Sequence, residues 1–565
     1  MSNPDRSDRH WLTGLLATLL LALALRAVFP VADPPWLAPI GITWHDEGVW
    51  AHNARNKALF GQWQLDQWNP MYVSPVFTGL EYLSFSVLGV GLWQARLVSV
   101  VAGLAATAAL ALGLRAIATP AVALAGAGLL AVNFTWVMYS RVALLEATMV
   151  AFLVASWACY TRAERDWRWG LGAAGFGLFA FFTKASAAFF LIALGLDACW
   201  VGWLAWRGGG GVRGPAVAGA LATFAGLGVG TLVLLAAFVV PHWDEYSFYN
   251  LFVYGSRRSS VGAGPLLDRA SWFPVVHGFF TRQWLLSVAS LVGLAALLVR
   301  YRRASAGERL LALWFVLGVC ELVLHDLGNE RRYVFLIPAM ASLAALTLIG
   351  ERRLLPAEVG TWSPVRVALV APLVLAGLYV AWGSLTRQVL MPDVRMSVRV
   401  AALGAVVTAG VMLAFRSRLG PAISQASWSS RGGVVAIALI VAVDLALFGQ
   451  WAAWRTSKNF EASLAVGRLL PPGTLVQGKL ANGLALDNQI RPLFIGPGFG
   501  NYADRFERPD VAWILTYSRP RLGYEGAVVR DLLDAMPGWT TEAEVPVAET
   551  RAGDDRAVLI RKPAL

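Results

Sequence analysis

Thr43-Trp44-His45-Asp46-Glu47-Gly48 follows an apolar run from Trp11 to Phe29, and the place of this acidic pair behind that run decides how the chain is read. A bilayer takes about 20 apolar residues to cross, so the run is long enough to span one. Asp46 and Glu47 then fall at or just outside the far membrane face, where carboxylates are costly and tend to be functional. The plain alternative is a solvated loop in which both acids merely face water. The remaining sequence has to choose between the two.

Composition excludes an ordinary soluble domain. Of 565 residues, 57% are hydrophobic and 15% charged, against about 25% charged in average globular proteins; the mean hydropathy is +0.57. No small-residue cleavage site stands out after Phe29 and many apolar segments follow, so the first run reads as a retained helix and not a signal peptide. The net charge of +12 does not point to nucleic acid, because the basic residues are mostly Arg spread over short loops. Cys159, Cys199 and Cys320 each lie in an apolar stretch and match neither a disulfide framework nor a metal-ligand spacing.

Apolar segments near 11–29, 94–114, 120–138, 142–161, 168–183, 186–206, 215–240, 284–300, 308–325, 334–350, 364–384, 397–415 and 433–452 predict about thirteen transmembrane helices. With Arg6 and Arg9 in the cytoplasm, alternate threading puts an arginine in every inner loop, among them Arg115, Arg162, Arg207, Arg300, Arg352 and Arg416. This satisfies the positive-inside rule. The glycine run Gly208–Gly211 becomes an inner connector. Three longer segments fall outside: 30–93, 241–283 and everything after Trp454. In the first, Trp36, Trp44, Trp50, Trp63, Trp68 and Trp93 read as interfacial anchors or sugar-stacking rings. Residues 47–60 read as an amphipathic helix along the membrane surface, and 75–89 as a helix too short to cross.

The composition changes after Lys458. Thr474–Gln477, Ala512–Tyr517 and Ala557–Ile560 read as short strands and Gly526–Met536 as a helix, with turns at Pro471-Pro472-Gly473 and Gly496-Pro497-Gly498. The expected organisation is a transmembrane domain over 1–455 and a small extracytoplasmic α/β domain over 456–565. Trp513, Tyr517, Tyr524 and Trp539 belong either to its core or to a glycan-binding face.

The run Asp46-Glu47-Gly48-Val49-Trp50-Ala51-His52-Asn53-Ala54-Arg55, then Gly61-Gln62-Trp63 and Gly91-Leu92-Trp93-Gln94-Ala95-Arg96-Leu97, resembles the first outer loop of glycosyltransferase family 39. That family holds the protein O-mannosyltransferases and the aminoarabinose transferases. Ser140-Arg141-Val142-Ala143-Leu144-Leu145-Glu146, Phe182-Thr183-Lys184 and Arg331-Arg332-Tyr333 with Pro338 fit it in order, so the resemblance covers the chain through about residue 350. It implies the GT-C fold and transfer of a sugar from a polyprenyl-phosphate donor to an extracytoplasmic glycan, lipid or protein, with inversion at the anomeric carbon. The implied home is the cytoplasmic membrane. One departure matters: where the aminoarabinose transferases carry Lys-Pro-Pro with a phosphate-contacting lysine, this chain has Val73-Ser74-Pro75.

The chemistry calls for these residue types independently. A hydroxyl acceptor needs a base within hydrogen-bond reach as it attacks, and Asp46 is the choice. Glu47 is expected to orient the acceptor or to be structural, and Glu146 to help position the acceptor or Arg141. The leaving phosphate gathers charge that fixed cations stabilise, for which Lys184, Arg331 and Arg332 beside Tyr333 are the candidates. Arg257 and Arg258 rank below them. His45 and Arg55 are possible first-loop contacts. Asp46, Glu47, Glu146 and His45 could form an oxygen-rich divalent site, but the resemblance argues for metal-independent chemistry and no cofactor is expected. The rival class is a transporter or flippase of lipid-linked sugars, which would want midplane acids; only Asp197 and Asp444 qualify.

Overall fold

Each of the thirteen apolar segments folds as helix in the computed structural model. The structure describes residues 4–36, 42–207, 214–253, 263–325, 329–350, 364–387, 393–415, 430–495, 508–518, 534, 538–551 and 553–563. Among them, eight helices are long and apolar enough to cross a membrane, or nine if Arg269–Phe280 and Trp284–Val299, bent by 113°, form one span. Against the expected count of about thirteen, the described residues thus give eight or nine candidate spans. Pro120–Val132 breaks at Asn133, whose side chain caps the short helix Phe134–Tyr139, and Arg168–Thr183 has only 16 residues. Pro75–Leu88, with 14 residues, is about 21 Å long, well short of the ~30 Å hydrocarbon layer.

Two arginines, Arg26 in the last turn of the first helix and Arg141 from a distant turn, hold the exit of that helix. Arg26 donates to Ser140 Oγ at 2.8 Å and to the Ala131 carbonyl at 3.0 Å. Arg141 donates to the carbonyls of Leu25 and Phe29 at 2.7 and 2.9 Å, satisfying acceptors that a helix end leaves open. Its guanidinium also lies 4.3 Å from the centroid of the Trp451 ring. Arg141 is thus committed to the helix Pro4–Ala27 rather than to Glu146.

After Trp454 the chain forms a helix, Lys458–Leu469, and a five-stranded mixed sheet. The strands are β1 (Leu475–Gln477), β2 (Arg491–Leu493), β3 (Trp513–Tyr517), β4 (Thr540–Pro546) and β5 (Arg556–Arg561), in the order β2-β1-β3-β5-β4. β1 runs parallel to β2 and β3, while β5 is antiparallel to β3 and β4. Asn459, Ala462, Ser463 and Val466 are the buried face of the helix, at helical spacing. The expected helix over 526–536 lies outside the described residues apart from 534, as do Tyr524, Arg257 and Arg258.

The helix Asp46–Phe60 departs from expectation. It does not lie along a membrane surface: Asp46 through Asn56 are all buried, because the C-terminal residues cover it. Arg55 donates to the carbonyls of Ala485, Asn488 and Ile490 at 2.9–3.0 Å. His52 lies between Asn482 and Asp66 at 3.0 and 2.8 Å, and the other Asp66 oxygen accepts from the Phe494 amide at 3.2 Å. The tryptophans follow suit. Trp44, Trp50 and Trp68 are buried instead of anchoring at an interface, and Trp68 Nε1 donates to the Val49 carbonyl at 2.8 Å.

The junction is tied by Asp33, which accepts from Thr456 Oγ1 at 2.6 Å and from the amides of Lys458 and Asn459 at 2.8 and 3.2 Å. A Cβ added at Gly48 would overlap the carbonyl oxygen of Asn482. Gly48→Ala should therefore lift the C-terminal segment from the helix, lowering the melting temperature in detergent and opening the chain beyond residue 455 to limited proteolysis. Gly175→Ala, at a position open for at least 4 Å, should leave both unchanged.

Candidate active site

The turn before the helix Asp46–Phe60 is closed by Asp46 N–H to the Thr43 carbonyl at 3.2 Å and Glu47 N–H to the Trp44 carbonyl at 3.0 Å. Both acids therefore occupy its first turn, where the helix dipole favours negative charge. Glu146 occupies the first turn of Leu145–Ala163. Lys184 sits in extended backbone (φ −158°, ψ 123°) between Arg168–Thr183 and the next helix. Arg331 lies in the 3₁₀ turn Glu330–Leu336, started by the Asn329 side chain. Four charged groups thus arrive from four separated stretches of chain at helix ends.

They meet. Arg331 Nη1 donates to Asp46 Oδ2 at 2.7 Å, and its Nε is 3.6 Å from Glu146 Oε1. The same Glu146 oxygen accepts from Lys184 Nζ at 2.5 Å. The result is a row, Asp46, Arg331, Glu146, Lys184, of alternating charge and little solvent exposure. Glu146 Oε2 is buried with no hydrogen-bond partner among the described residues. Buried carboxylate oxygens normally find a donor, so this one is an acceptor with capacity to spare. Burial pulls the Lys184 ammonium below the ordinary lysine range, opposed by Glu146 and assisted by Arg331 and Arg332.

The neighbouring candidates are placed differently. Arg332 donates to the His325 carbonyl, and Tyr333 is buried with its ring 4.9 Å from that of Phe279. Arg55 reaches the C-terminal carbonyls. Glu47 accepts two parallel bonds from Arg96, both at 2.8 Å, and a third from the Ala143 amide at 2.8 Å. Both its oxygens are thereby engaged, which gives it to the scaffold. Arg96 also donates to the carbonyls of Pro30 and Ala32. The sequence reading quoted Arg96 within its motif but gave it no task. The available signal was a lone guanidinium near the start of an apolar helix, which needs an anionic partner.

The midplane acids are engaged as well. Asp197 accepts from Arg309 at 2.7 and 3.0 Å and from Tyr160 at 2.9 Å, and Asp444 accepts from the Phe134 amide at 3.0 Å. A cavity of about 800 Å³ is walled by Asp33, Asn133, Arg282, Glu330, Asp444 and Trp451, among others. It reaches the residue next to Arg331. Among the described residues, no group of three or more His, Cys, Asp or Glu side chains is arranged to hold a metal ion.

Residues 63–247 match the family of dolichyl-phosphate-mannose-protein mannosyltransferases, glycosyltransferase family 39. The chain thus carries a glycosyltransferase-family segment over about a third of its length. The matched segment contains Arg96, Glu146 and Lys184, whereas Asp46, Glu47 and Arg331 lie outside it. No curated protein matches the sequence. Among solved structures, ArnT of Cupriavidus metallidurans is similar in the apo state, with a TM-score of 0.55 at 16% identity over 99% of this chain and 98% of that one. The same protein bound to undecaprenyl phosphate gives a TM-score of 0.53 at 16% identity over 97% and 98%. These likenesses establish the ArnT-like GT-C fold. The matched family transfers sugars, which argues against transport without covalent chemistry.

Removing one partner of a buried bidentate pair leaves an uncompensated charge, at a cost of about 3–5 kcal/mol. Glu47→Gln should lower unfolding stability on that scale, read as an earlier thermal transition of the detergent-solubilised protein.

Proposed function

We propose that this protein moves a monosaccharide from a polyprenyl-phosphate donor to a hydroxyl acceptor at the extracytoplasmic face of the cytoplasmic membrane, inverting the anomeric carbon. The observation that carries the reading is the row Asp46, Arg331, Glu146, Lys184: two carboxylates interleaved with two cations, with one buried carboxylate oxygen open. The family match supports a lipid-phosphate donor, and its ArnT relative was crystallised with undecaprenyl phosphate. About thirteen spans, with the arginine-bearing loops inside, would put this end of the bundle and the domain over 456–565 outside.

The step is a single displacement. The acceptor oxygen attacks the anomeric carbon while the bond from that carbon to the phosphate oxygen breaks. The electron pair leaves with the lipid phosphate, and the acceptor proton passes to an Asp46 carboxylate oxygen. Glu146 Oε2 accepts a hydrogen bond from a substrate hydroxyl and so orients it. Lys184, Arg331 and Arg332 stabilise the charge growing on the phosphate. In the donor-free protein Arg331 and Lys184 are neutralised by Asp46 and Glu146. A phosphate arriving between them competes for the same donors, loosening Asp46 as the donor binds. Glu47 and Arg96 hold the turn, and Tyr333 is part of the packing behind Arg331. No metal is required by this scheme.

Asp46→Asn keeps the shape but cannot take the proton. The purified protein, incubated with a panel of polyprenyl-phosphate sugars and cell-envelope extract, should release polyprenyl phosphate and label an acceptor by mass spectrometry. The Asn variant should bind donor normally and fall by at least ~100-fold in turnover. Turnover equal to wild type would remove Asp46 from the base role.

The depressed Lys184 pKa gives a second expectation. As pH rises, Lys184 loses its charge before an ordinary lysine would, so affinity for undecaprenyl phosphate should decline on the alkaline side. Lys184→Arg, which stays charged, should flatten that decline in a binding titration.

A further inference from the structure

Tyr517 closes β3 opposite Ala557 of β5 and is buried. Its hydroxyl lies 3.2 Å from Nδ1 of His45. The two rings meet edge to face at 6.4 Å and 75°, and Trp44 packs on the imidazole edge to face at 5.7 Å and 83°. A Cβ on Gly483 would come within 2.6 Å of His45 Cβ, so the C-terminal segment is pressed against this residue. His45 is 2% exposed and has one seat. From it, Nε2 faces Asp46 Oδ1 at 3.8 Å, while Oδ2 of the same carboxylate is held by Arg331.

The electrostatics select a tautomer. An Nε2 lone pair turned toward a carboxylate oxygen would be repelled, whereas an Nε2–H is attracted. The proton of a neutral imidazole therefore belongs on Nε2, leaving Nδ1 to accept from the phenol. We infer that Tyr517 and His45 form a positioning pair for Asp46. The phenol fixes the imidazole tautomer, the Nε2 edge faces Oδ1 across 3.8 Å as an electrostatic contact too long for a hydrogen bond, and Arg331 holds Oδ2. This rests on Asp46 being the base, as proposed above. It assigns the C-terminal sheet a part in the reaction: Tyr517, a member of the sheet's core as one of the sequence expectations had it, also supports the base from behind.

The test is a double-mutant cycle on the full-length protein. Undecaprenyl-phosphate mannose serves as donor probe with envelope extract, and released undecaprenyl phosphate is the readout. Tyr517→Phe keeps the ring and loses the donor. His45→Gln offers an amide that can donate to Asp46 without a tautomer to set. The expected result is a kcat lower by on the order of tenfold for Tyr517→Phe, little change in donor KM, and a displaced acid limb of the pH–rate profile. The thermal transition should stay within about 2 °C of wild type. In the His45→Gln background the same Tyr517→Phe change should have no further effect, since residues acting as a unit are not additive. Unchanged kcat and pH profile in Tyr517→Phe, or an equal loss in both backgrounds, would overturn the pair. Asp46→Asn run alongside separates the two ideas. If it is inactive while Tyr517→Phe behaves as wild type, the positioning pair alone is wrong. If it is active, the base assignment fails and this inference with it.

Discussion

The salt bridge from Arg331 to Asp46, with Glu146 on the guanidinium's other side, is the contact on which the rest depends. A carboxylate taken out of water costs several kcal/mol unless it is paired. Asp46 and Glu146 are both buried, and Arg331 and Lys184 are what make that tolerable. The helices carrying these groups therefore cannot drift apart independently. The arrangement is strained toward function in a simple sense: the cations are already desolvated and fixed where an anionic group can claim them.

A second layer keeps this row in register. Glu47 is next to Asp46 in sequence but faces the opposite partner, and its three hydrogen bonds from Arg96 and Ala143 lock the first turn of the helix. Arg96 in turn grips the chain leaving the first span, and Arg26 and Arg141 grip the end of that span. Adjacent acids in one motif thus divide the labour. One is anchored to Arg96 and the Ala143 amide, the other to Arg331.

Much of this was legible. Asp46, Glu146, Lys184 and Arg331 stand out as charged residues at the ends of apolar runs, and hydropathy alone places such groups near a membrane face. Their separations in sequence say nothing of which meet, so the Arg331 bridge had to come from the fold. The buried tryptophans misled because a Trp-rich loop beside a membrane looks like an interfacial belt; what covers Trp44 lies more than four hundred residues away. The sheet was half visible. β3 and β5 are continuous apolar runs, whereas β4 is an exposed edge rich in Thr and Glu, and β2 is three residues long. The Tyr517 to His45 contact carries no local signal at all.

The contact between His45 and Tyr517 joins positions 472 residues apart. Every candidate membrane helix but the first is made between them. During synthesis the acidic turn leaves the ribosome early, with its outer wall missing, while the later helices are still to be made. Only when Asn482, Gly483 and Tyr517 have been made and settled on Gly48 and His45 does the turn acquire its rear support. A truncated nascent chain would hold the cations and the acids, yet lack the surface that orients them. The fold thus completes the surroundings of this turn from one of the last stretches of chain to be made.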